Sequence, residues 1–289
     1  MEGNLRKVQL LELELLKTFK AICEAEKLTY YLIGGTLIGA LRHNGFIPWD
    51  DDIDVGMPRD DYEKFIKCAK NYLSNEIVIK HYSLDSSYTD YPAKLISTKA
   101  SFLIQREHVV REAPIWIDIF PLDGVPNQNW KKWIHLRKLD YFKMKMAFHG
   151  IDNLRIDKNR PIWKKALFRF AQIIPVGKLV DPVRTKRNID RELEKYRVQD
   201  CKKMGNHVGA YKEREFVPVG FFENGSEVLF EGETFNAPKD ADKYLTQIYG
   251  DYMSLPGVEE RTSRHHVIQI KYNEKNEVHI GCACKVESK

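Results

Sequence analysis

Asp52 and Asp54 stand two positions apart, with Ile53 between them and Val55 after, at the end of the run Trp49-Asp50-Asp51-Asp52-Ile53-Asp54-Val55. On an extended strand, side chains two apart leave from one face, so this spacing aims both carboxylates the same way while Ile53 and Val55 face a core. Two convergent carboxylates make a hard-oxygen site suited to Mg²⁺ or Mn²⁺, ions that keep waters and substrate phosphates among their ligands. Upstream, Gly34 and Gly35 end a short apolar run and Thr36 follows; a glycine pair lets backbone amides approach a phosphate with no Cβ in the way. A third acid, Asp118, interrupts the hydrophobic run Ile115-Trp116-Ile117-Asp118-Ile119-Phe120. A lone charge in such a strand costs roughly 1–3 kcal/mol or more unless a cation or partner compensates it. Acids from two strands can hold one or two divalent ions, neutralise a diphosphate and orient an attacking hydroxyl, and Asp118 can take that hydroxyl's proton. Aspartate pairs are ordinarily solvated turns, but the apolar flanks of this run and the presence of Asp118 favour a site.

Cations come next. Arg42 and His43 follow the glycines closely, and Lys94, Arg106 and Arg261 are further groups able to meet a diphosphate, arginine by bidentate geometry. Isolated Lys and Arg are ordinarily surface charge, so Arg42 and His43, which adjoin the motif, carry more weight. A quaternary ammonium on the transferred group would want an aromatic cage, for which Trp49, Trp116, Tyr88, Tyr91, Phe46 and Tyr252 are available, although aromatics mostly fill cores. His265 and His266 read as active-site positioning residues. His279, Cys282 and Cys284 lack the spacing of a standard zinc finger, and such cysteines read more simply as small buried hydrophobes. Residues 34–39 are not followed by the Lys and Ser or Thr of a P-loop, so ATP hydrolysis is not indicated.

The elements that must position these residues mix helix and strand from the outset. Residues 5–27 repeat apolar side chains at helical spacing, Leu10, Leu13, Leu16 and Ile22 among them, which predicts an amphipathic helix. A short strand over 29–33, a helix over 37–43 capped by Thr36, a strand over 52–57 and a helix starting at Pro58 follow. Further strands are expected over 77–82, 93–98, 101–106 and 115–120. From 129 to about 201 the pattern turns helical and basic, broken at Gly150, Pro161, Pro175 and Pro182, which predicts three helices. The last third should hold a short strand near 215–219, a helix over 240–249 and a hairpin across 273–276.

A chain of 289 residues with 43% hydrophobic content can bury one substantial core plus a smaller subdomain. It has no apolar run of about 18 residues, the length a spanning helix needs. Its first residues mix Arg6, Lys7, Glu12 and Glu14 with leucines, unlike a secretory signal. Five cysteines, an odd number without framework spacing, suit reduced thiols and a cytoplasmic compartment. The formal charge of +5 is concentrated in residues 131–203, where Lys and Arg far outnumber Asp and Glu. Trp130, Trp133, Phe142, Phe148, Trp163, Phe168 and Phe170 lie among those cations, the composition of an interfacial helix that docks an anionic, lipid-linked acceptor at the inner membrane face. The plainer reading is a solvated helical face. Nucleic-acid binding by this segment would leave the acidic triad without a role.

The runs Ile33-Gly34-Gly35-Thr36-Leu37-Ile38-Gly39-Ala40-Leu41-Arg42-His43 and Gly45-Phe46-Ile47-Pro48-Trp49-Asp50-Asp51-Asp52-Ile53-Asp54-Val55-Gly56-Met57 together resemble the LicD family. The run Ile117-Asp118-Ile119-Phe120-Pro121-Leu122-Asp123-Gly124 supports this, as do Phe230-Glu231-Gly232, Tyr244-Leu245, Tyr249-Gly250-Asp251-Tyr252-Met253 and Arg261 with His265-His266. One departure is Leu255-Pro256-Gly257-Val258, where a second proline would be expected. The resemblance implies an α+β, nucleotidyltransferase-like fold, a mixed sheet flanked by helices. Residues 1–128 would form the catalytic core, 129–203 a basic helical insertion and 204–289 a C-terminal part completing the active site. It implies Mg²⁺-dependent (or Mn²⁺-dependent) transfer of phosphocholine from CDP-choline to a teichoic acid or lipopolysaccharide glycan, with the metal acids falling on Asp52, Asp54 and Asp118. Relatives similar to fukutin move ribitol phosphate from its CDP donor, so another CDP-alcohol stays open. Two rivals fit less well. An isoprenoid synthase would need its acids on a helix, against Pro48 and the β-branched Ile53 and Val55. A metal-dependent glycosyltransferase with an Asp-x-Asp site would lack the preceding Gly-Gly-Thr.

Overall fold

The computed structural model describes residues 2–88, 90–106, 109–149, 180–263 and 267–273. Helix α1 (Glu2–Glu26) opens the chain and packs on the sheet. Its buried stripe runs through Val8, Glu12, Leu15, Leu16, Phe19 and Cys23, while Leu10, expected inside, is exposed. The strand β1 (Tyr31–Leu32) leads into helix α2 (Gly34–His43), β2 (Asp54–Pro58) and helix α3 (Arg59–Cys68). Next come β3 (Ile77–Lys80), β4 (Ala93–Arg106) and β5 (Val109–Val125), then helices α4 (Asn129–His149) and α5 (Pro182–Leu193). The last third holds β6 (Lys203–Gly205), β7 (Val217–Pro218), β8 (Ser226–Phe230), β9 (Glu233–Ala237), α6 (Ala241–Tyr249) and β10 (Val267–Tyr272).

The strands form a mixed sheet with the path β1-β2-β5-β4-β10, in which β3 also joins β4 and β6 joins β5 and β7. The expected α+β class holds. Only β2 and β5 run parallel along this path; β1 with β2, β4 with β5 and β10 with β4 are antiparallel. A parallel neighbour needs a long crossover, and the segment from α3 to β4 supplies it. Alternate residues of β5, namely Ile115, Ile117 and Ile119, are fully buried, and Ile119 stands opposite the fully buried Val55 of β2. Phe19 of α1 closes this core against Tyr30 and Phe65.

Several boundaries differ from expectation. The strand foreseen over 52–57 begins at Asp54, so Asp52 belongs to the preceding loop. Burial still alternates from Asp52 to Val55, with both aspartates half-buried and both aliphatics inside. The two strands foreseen over 93–106 are one, because an irregularity between Ser97 and Ser101 lets the ladder shift register and continue. Pro182 does not break a helix but starts one: it takes the first helical position of α5 behind the N-cap Asp181, whose carboxylate accepts from the Arg184 amide at 2.9 Å. Helices foreseen over 150–179 and the hairpin foreseen across 273–276 lie outside the described residues. The β8–β9 hairpin escaped notice because its two-residue turn has Glu231 rather than Asn or Asp before Gly232; both take positive φ, 53° and 81°.

By contacts the chain divides into two compact units, residues 1–123 with 204–289, and residues 124–203. In the second, α4 packs on α5, and His135 is buried with its Nδ1 at 3.3 Å from Glu192 and its ring edge-on to Tyr196. Among the described residues no helix is long and apolar enough to cross a membrane. Cys23, Cys68 and Cys201 are free thiols, and burial pushes the Cys23 thiol far up.

One ion pair anchors the first unit. Arg59, at the start of α3, donates from Nε and Nη2 to the two carboxylate oxygens of Asp123 at 2.7 and 2.6 Å, and both residues are buried. Removing one partner of such a pair strands a buried charge, which typically costs about 3–5 kcal/mol. Asp123→Ala should therefore lose about that much in urea unfolding, whereas Arg59→Met combined with Asp123→Leu should lose clearly less.

Candidate active site

The site grows from a single row across the sheet. In the parallel pairing of β2 with β5, Asp54 stands opposite Asp118, and in the antiparallel pairing of β5 with β4, Asp118 stands opposite Lys94. Paired residues on neighbouring strands share a face, so these three side chains emerge together. Asp118 is largely buried. Its Oδ2 accepts from Trp116 Nε1 at 2.9 Å, and its Oδ1, which has no hydrogen-bond partner, lies 3.4 Å from Lys94 Nζ as an ion pair. Burial pushes the Asp118 carboxyl above its ordinary value; Lys94 and the Trp116 N–H pull the other way and Asp52 adds repulsion, with burial prevailing. Lys94 also meets Asp90 at 3.1 Å and lies 4.3 Å over the Trp116 ring.

Helix α2 starts where β2 starts. Ile33 and not Thr36 occupies the N-cap position, and no side chain caps the helix. Thr36 instead sits in the first turn, and its Oγ1 accepts from the Asp54 amide at 2.8 Å, which ties the helix start to the strand start. Gly34 takes φ +58°, and a Cβ there would lie 3.2 Å from Asp54 Oδ2; at Gly35 it would lie 2.8 Å from Asp50 Oδ2. The glycine pair thus brings the helix N-terminus, with its partial positive charge, against two carboxylates.

The other cations gather beyond the far end of α2. Arg42 Nη1 donates to the Tyr252 carbonyl at 2.7 Å, and its Nε donates to His43 Nε2 at 3.0 Å. Burial and then Arg42 lower the pKa of His43, which suits a neutral ring accepting that bond. Arg261 lies 5.5 Å over the Trp49 ring, which also meets His43 edge-on at 6.4 Å. Burial and then repulsion from Arg261 lower the pKa of Arg42. Arg42, His43, Trp49 and Arg261 are therefore one cluster, apart from Lys94, which pairs with Asp118. His265 and His266 lie outside the described residues, as do His279, Cys282 and Cys284. Of the aromatics considered for a cage, Phe46 packs on Phe230, and Trp116 carries Lys94 on its ring and stacks on Phe102. A quaternary ammonium would have to displace Lys94 to use Trp116. A cleft of about 560 Å³ lined by Leu41, Val228, Lys239, Asp242 and Tyr252 contains none of the acids of the row.

Sequence reasoning left several neighbours without a role. Asp51 is buried and accepts from the Ser263 hydroxyl. Tyr249 is half-buried, its hydroxyl close to Gly34, and burial with the charge of Asp54 among others pushes its pKa up. Glu12 of α1 is only 2% exposed, its Oε2 has no hydrogen-bond partner, and burial together with Asp52, Asp51, Asp50 and Asp118 pushes its carboxyl well up. The signal for Glu12 was legible: it stands four residues from Val8 and four from Leu16, on the apolar stripe of an amphipathic helix.

The donor set suits a hard divalent cation, since every candidate ligand is a carboxylate and two buried oxygens, Asp118 Oδ1 and Glu12 Oε2, lack hydrogen-bond partners among the described residues. As they stand, no three His, Cys, Asp or Glu side chains among the described residues gather closely enough to ligate an ion.

The chain is 34% identical over 272 residues to the lipopolysaccharide cholinephosphotransferase LicD of Haemophilus influenzae, covering 91% of this chain and 96% of that protein. It belongs to the LicD family. Residues 27–154 match the family model described as LicD/FKTN/FKRP, nucleotidyltransferase domain. A stretch of 40 residues is 48% identical to the human ribitol 5-phosphate transferase FKRP, covering 14% of this chain and 8% of that protein. The chain is an enzyme, a phosphotransferase.

Gly34→Ala separates backbone strain from site chemistry. A left-handed alanine costs roughly 1–2 kcal/mol, and its methyl group must also push Asp54 aside. Gly232→Ala carries similar strain, φ +81°, with nothing within 4 Å of the new methyl. Both variants should lose similar unfolding free energy, but only Gly34→Ala should lose transferase activity, by tenfold or more on the order expected for a displaced site carboxylate.

Proposed function

We propose that this chain transfers phosphocholine from CDP-choline to a hydroxyl of a teichoic acid or lipopolysaccharide glycan precursor, in a Mg²⁺-dependent (or Mn²⁺-dependent) reaction. The observation that carries the reading is Asp54 opposite Asp118 in parallel register, beside the glycine-led start of α2. The relative named as a cholinephosphotransferase supports the choice of transferred group. The brief match to FKRP favours a second reading, transfer of ribitol phosphate from CDP-ribitol by the same chemistry. A metal-dependent glycosyltransferase remains the alternative from another class. In this reading residues 1–128 and 204–289 make a nucleotidyltransferase-like catalytic body, and 129–203 is a basic insertion.

Asp52, Asp54 and Asp118 would hold the cation, which, when bound, neutralises the diphosphate and the charge left on the departing nucleotide. The N-terminus of α2, led by Gly34, Gly35 and Thr36, faces the donor phosphates with its partial positive charge. Arg42, His43 and Arg261 serve the nucleotide side; Arg42 and Arg261 are close enough to repel, so an anion between them is favoured. Trp49 offers a ring face for the base or the choline, and Lys94 keeps Asp118 oriented and releases it to the acceptor. The acceptor hydroxyl attacks the phosphorus that bears choline. A new oxygen–phosphorus bond forms, the bond to the bridging oxygen breaks, CMP leaves, and Asp118 takes the hydroxyl proton. His265 and His266 complete the reading as positioning residues.

The reaction would run in the cytoplasm at the inner membrane face. On α4, Trp130, Trp133, Ile134, Tyr141 and Met144 are all exposed and fall on one helical face, with Lys131, Arg137, Lys138 and Lys145 nearby, which supports docking on an anionic lipid surface that carries the acceptor.

Two measurements test this. CMP release from CDP-choline, compared with CDP-ribitol and UDP-sugars, should require Mg²⁺ and acceptor, and Asp52→Asn or Asp54→Asn should each lower it by roughly two orders of magnitude or more. Near-normal release in both variants, or turnover of a UDP-sugar alone, overturns the reading. Trp130→Ala combined with Trp133→Ala should weaken co-sedimentation with phosphatidylserine-containing vesicles and leave CMP release on a water-soluble acceptor unchanged.

A further inference from the structure

The buried acid on α1 is the part of the site that the proposed reaction leaves unused. Glu12 is almost fully enclosed, and its Oε2 has no hydrogen-bond partner among the described residues. It stands in the middle of a long helix, on the stripe that otherwise carries Val8, Leu15, Leu16 and Phe19. Nothing about helix formation asks for a glutamate there; leucine or methionine would fill the same face and add apolar burial. An isolated buried carboxylate is costly, and this one is turned toward further acids: Asp50, Asp51, Asp52 and Asp118 all act on it electrostatically. Gln9, one turn earlier, donates from Nε2 to the Asp50 carbonyl at 2.9 Å, which fixes the rotation and depth of α1 against the acidic loop. The helix is thus pinned with Glu12 one turn beyond the residue that holds the acidic loop. Burial without a partner and crowding by like charge are relieved together by one thing, a cation shared with the neighbouring acids.

We propose that Glu12 is a further carboxylate of the divalent-cation site, acting on the ion directly or through one bound water, so that α1 is part of the metal centre. The proposal rests on the reading of Asp52, Asp54 and Asp118 as cation ligands. It assigns a role to the N-terminal helix that neither the glycine segment nor the aspartate run contains. Because Gln matches Glu in shape and lacks the charge, Glu12→Gln distinguishes a ligand from a packing residue. A packing role predicts an unchanged or more stable protein with unchanged cation affinity.

The test uses Mn²⁺ alone as probe, on the full-length protein without nucleotide. Binding is measured by the loss of the free-Mn²⁺ electron paramagnetic resonance signal, and the Mn²⁺-induced rise in Tm is read in parallel. Wild type should bind Mn²⁺. Glu12→Gln should bind at least tenfold more weakly while its cation-free Tm stays at or above that of wild type. Glu12→Asp, which keeps the charge on a shorter arm, should fall between them and covers the case in which Glu12→Gln does not fold. Wild-type affinity in Glu12→Gln, with binding lost in Asp54→Asn, overturns the role of Glu12 and leaves the proposed reaction standing. No Mn²⁺ binding by wild type overturns both. Binding lost in Glu12→Gln and kept in both Asp52→Asn and Asp54→Asn overturns the shared site on which the proposal rests.

Discussion

Like charges held close together where water is scarce are the constraint around which the first unit is built. Two unit charges about 4 Å apart repel by about 4 kcal/mol at an effective dielectric near 20, and here Glu12, Asp50, Asp51, Asp52, Asp54 and Asp118 come from a helix, a loop and two strands to one region. The surroundings offset this repulsion in part. Lys94 and the Trp116 N–H meet Asp118, the Ser263 hydroxyl meets Asp51, and the positive end of α2 lies against Asp54 and Asp50. Among the described residues two buried oxygens, Asp118 Oδ1 and Glu12 Oε2, still lack hydrogen bonds.

The scaffold explains how such a cluster is tolerated. The acids sit beside ladders of fully buried Ile and Val, and the pleat alternates them, with Ile53, Val55, Ile117 and Ile119 on the core side. A slip of one residue between β2 and β5 would turn Asp118 toward that core, so the hydrophobic pattern enforces the register that pairs it with Asp54. The Arg59–Asp123 pair locks the same two strands further along, since Arg59 directly follows β2 and Asp123 lies within β5. Stability and site geometry thus share one pair of strands.

Much of this could be read in the residues themselves. The period-2 alternation around Asp52 and Asp118 is strong enough to reveal both acids and the sides they take, and Gly34 and Gly35 announce a close approach of backbone to polar groups. What stayed hidden depended on tertiary contact. Thr36 looks like a helix cap by local preference, yet the Asp54 amide claims its hydroxyl. Glu12 is the exception, since its spacing to Val8 and Leu16 places it on the buried stripe, although only the structure shows which acids lie beyond it. The β8–β9 turn uses Glu231 in a conformation that favours Asn or Gly. Its carboxylate meets Arg6 and the Phe46 amide, long-range partners that no local pattern encodes.

That hairpin carries a consequence for how the protein is made. Glu231 joins the first turns of α1 to the loop after α2, Ser263 reaches Asp51, and β10 completes the edge of the sheet beside β4. The acids and the contacts that first bring them together, the β2–β5 ladder and the Gln9 bond to the Asp50 carbonyl, are synthesised early, but Glu231, Ser263 and β10 leave the ribosome later. Until then the nascent chain carries an uncovered edge of β4 and an acidic loop without its Ser263 contact. Bracing of the acidic loop is therefore a late event of biosynthesis, and a chain released before its final third can pair Asp54 with Asp118 but lacks the Glu231 and Ser263 contacts that steady α1 and Asp51.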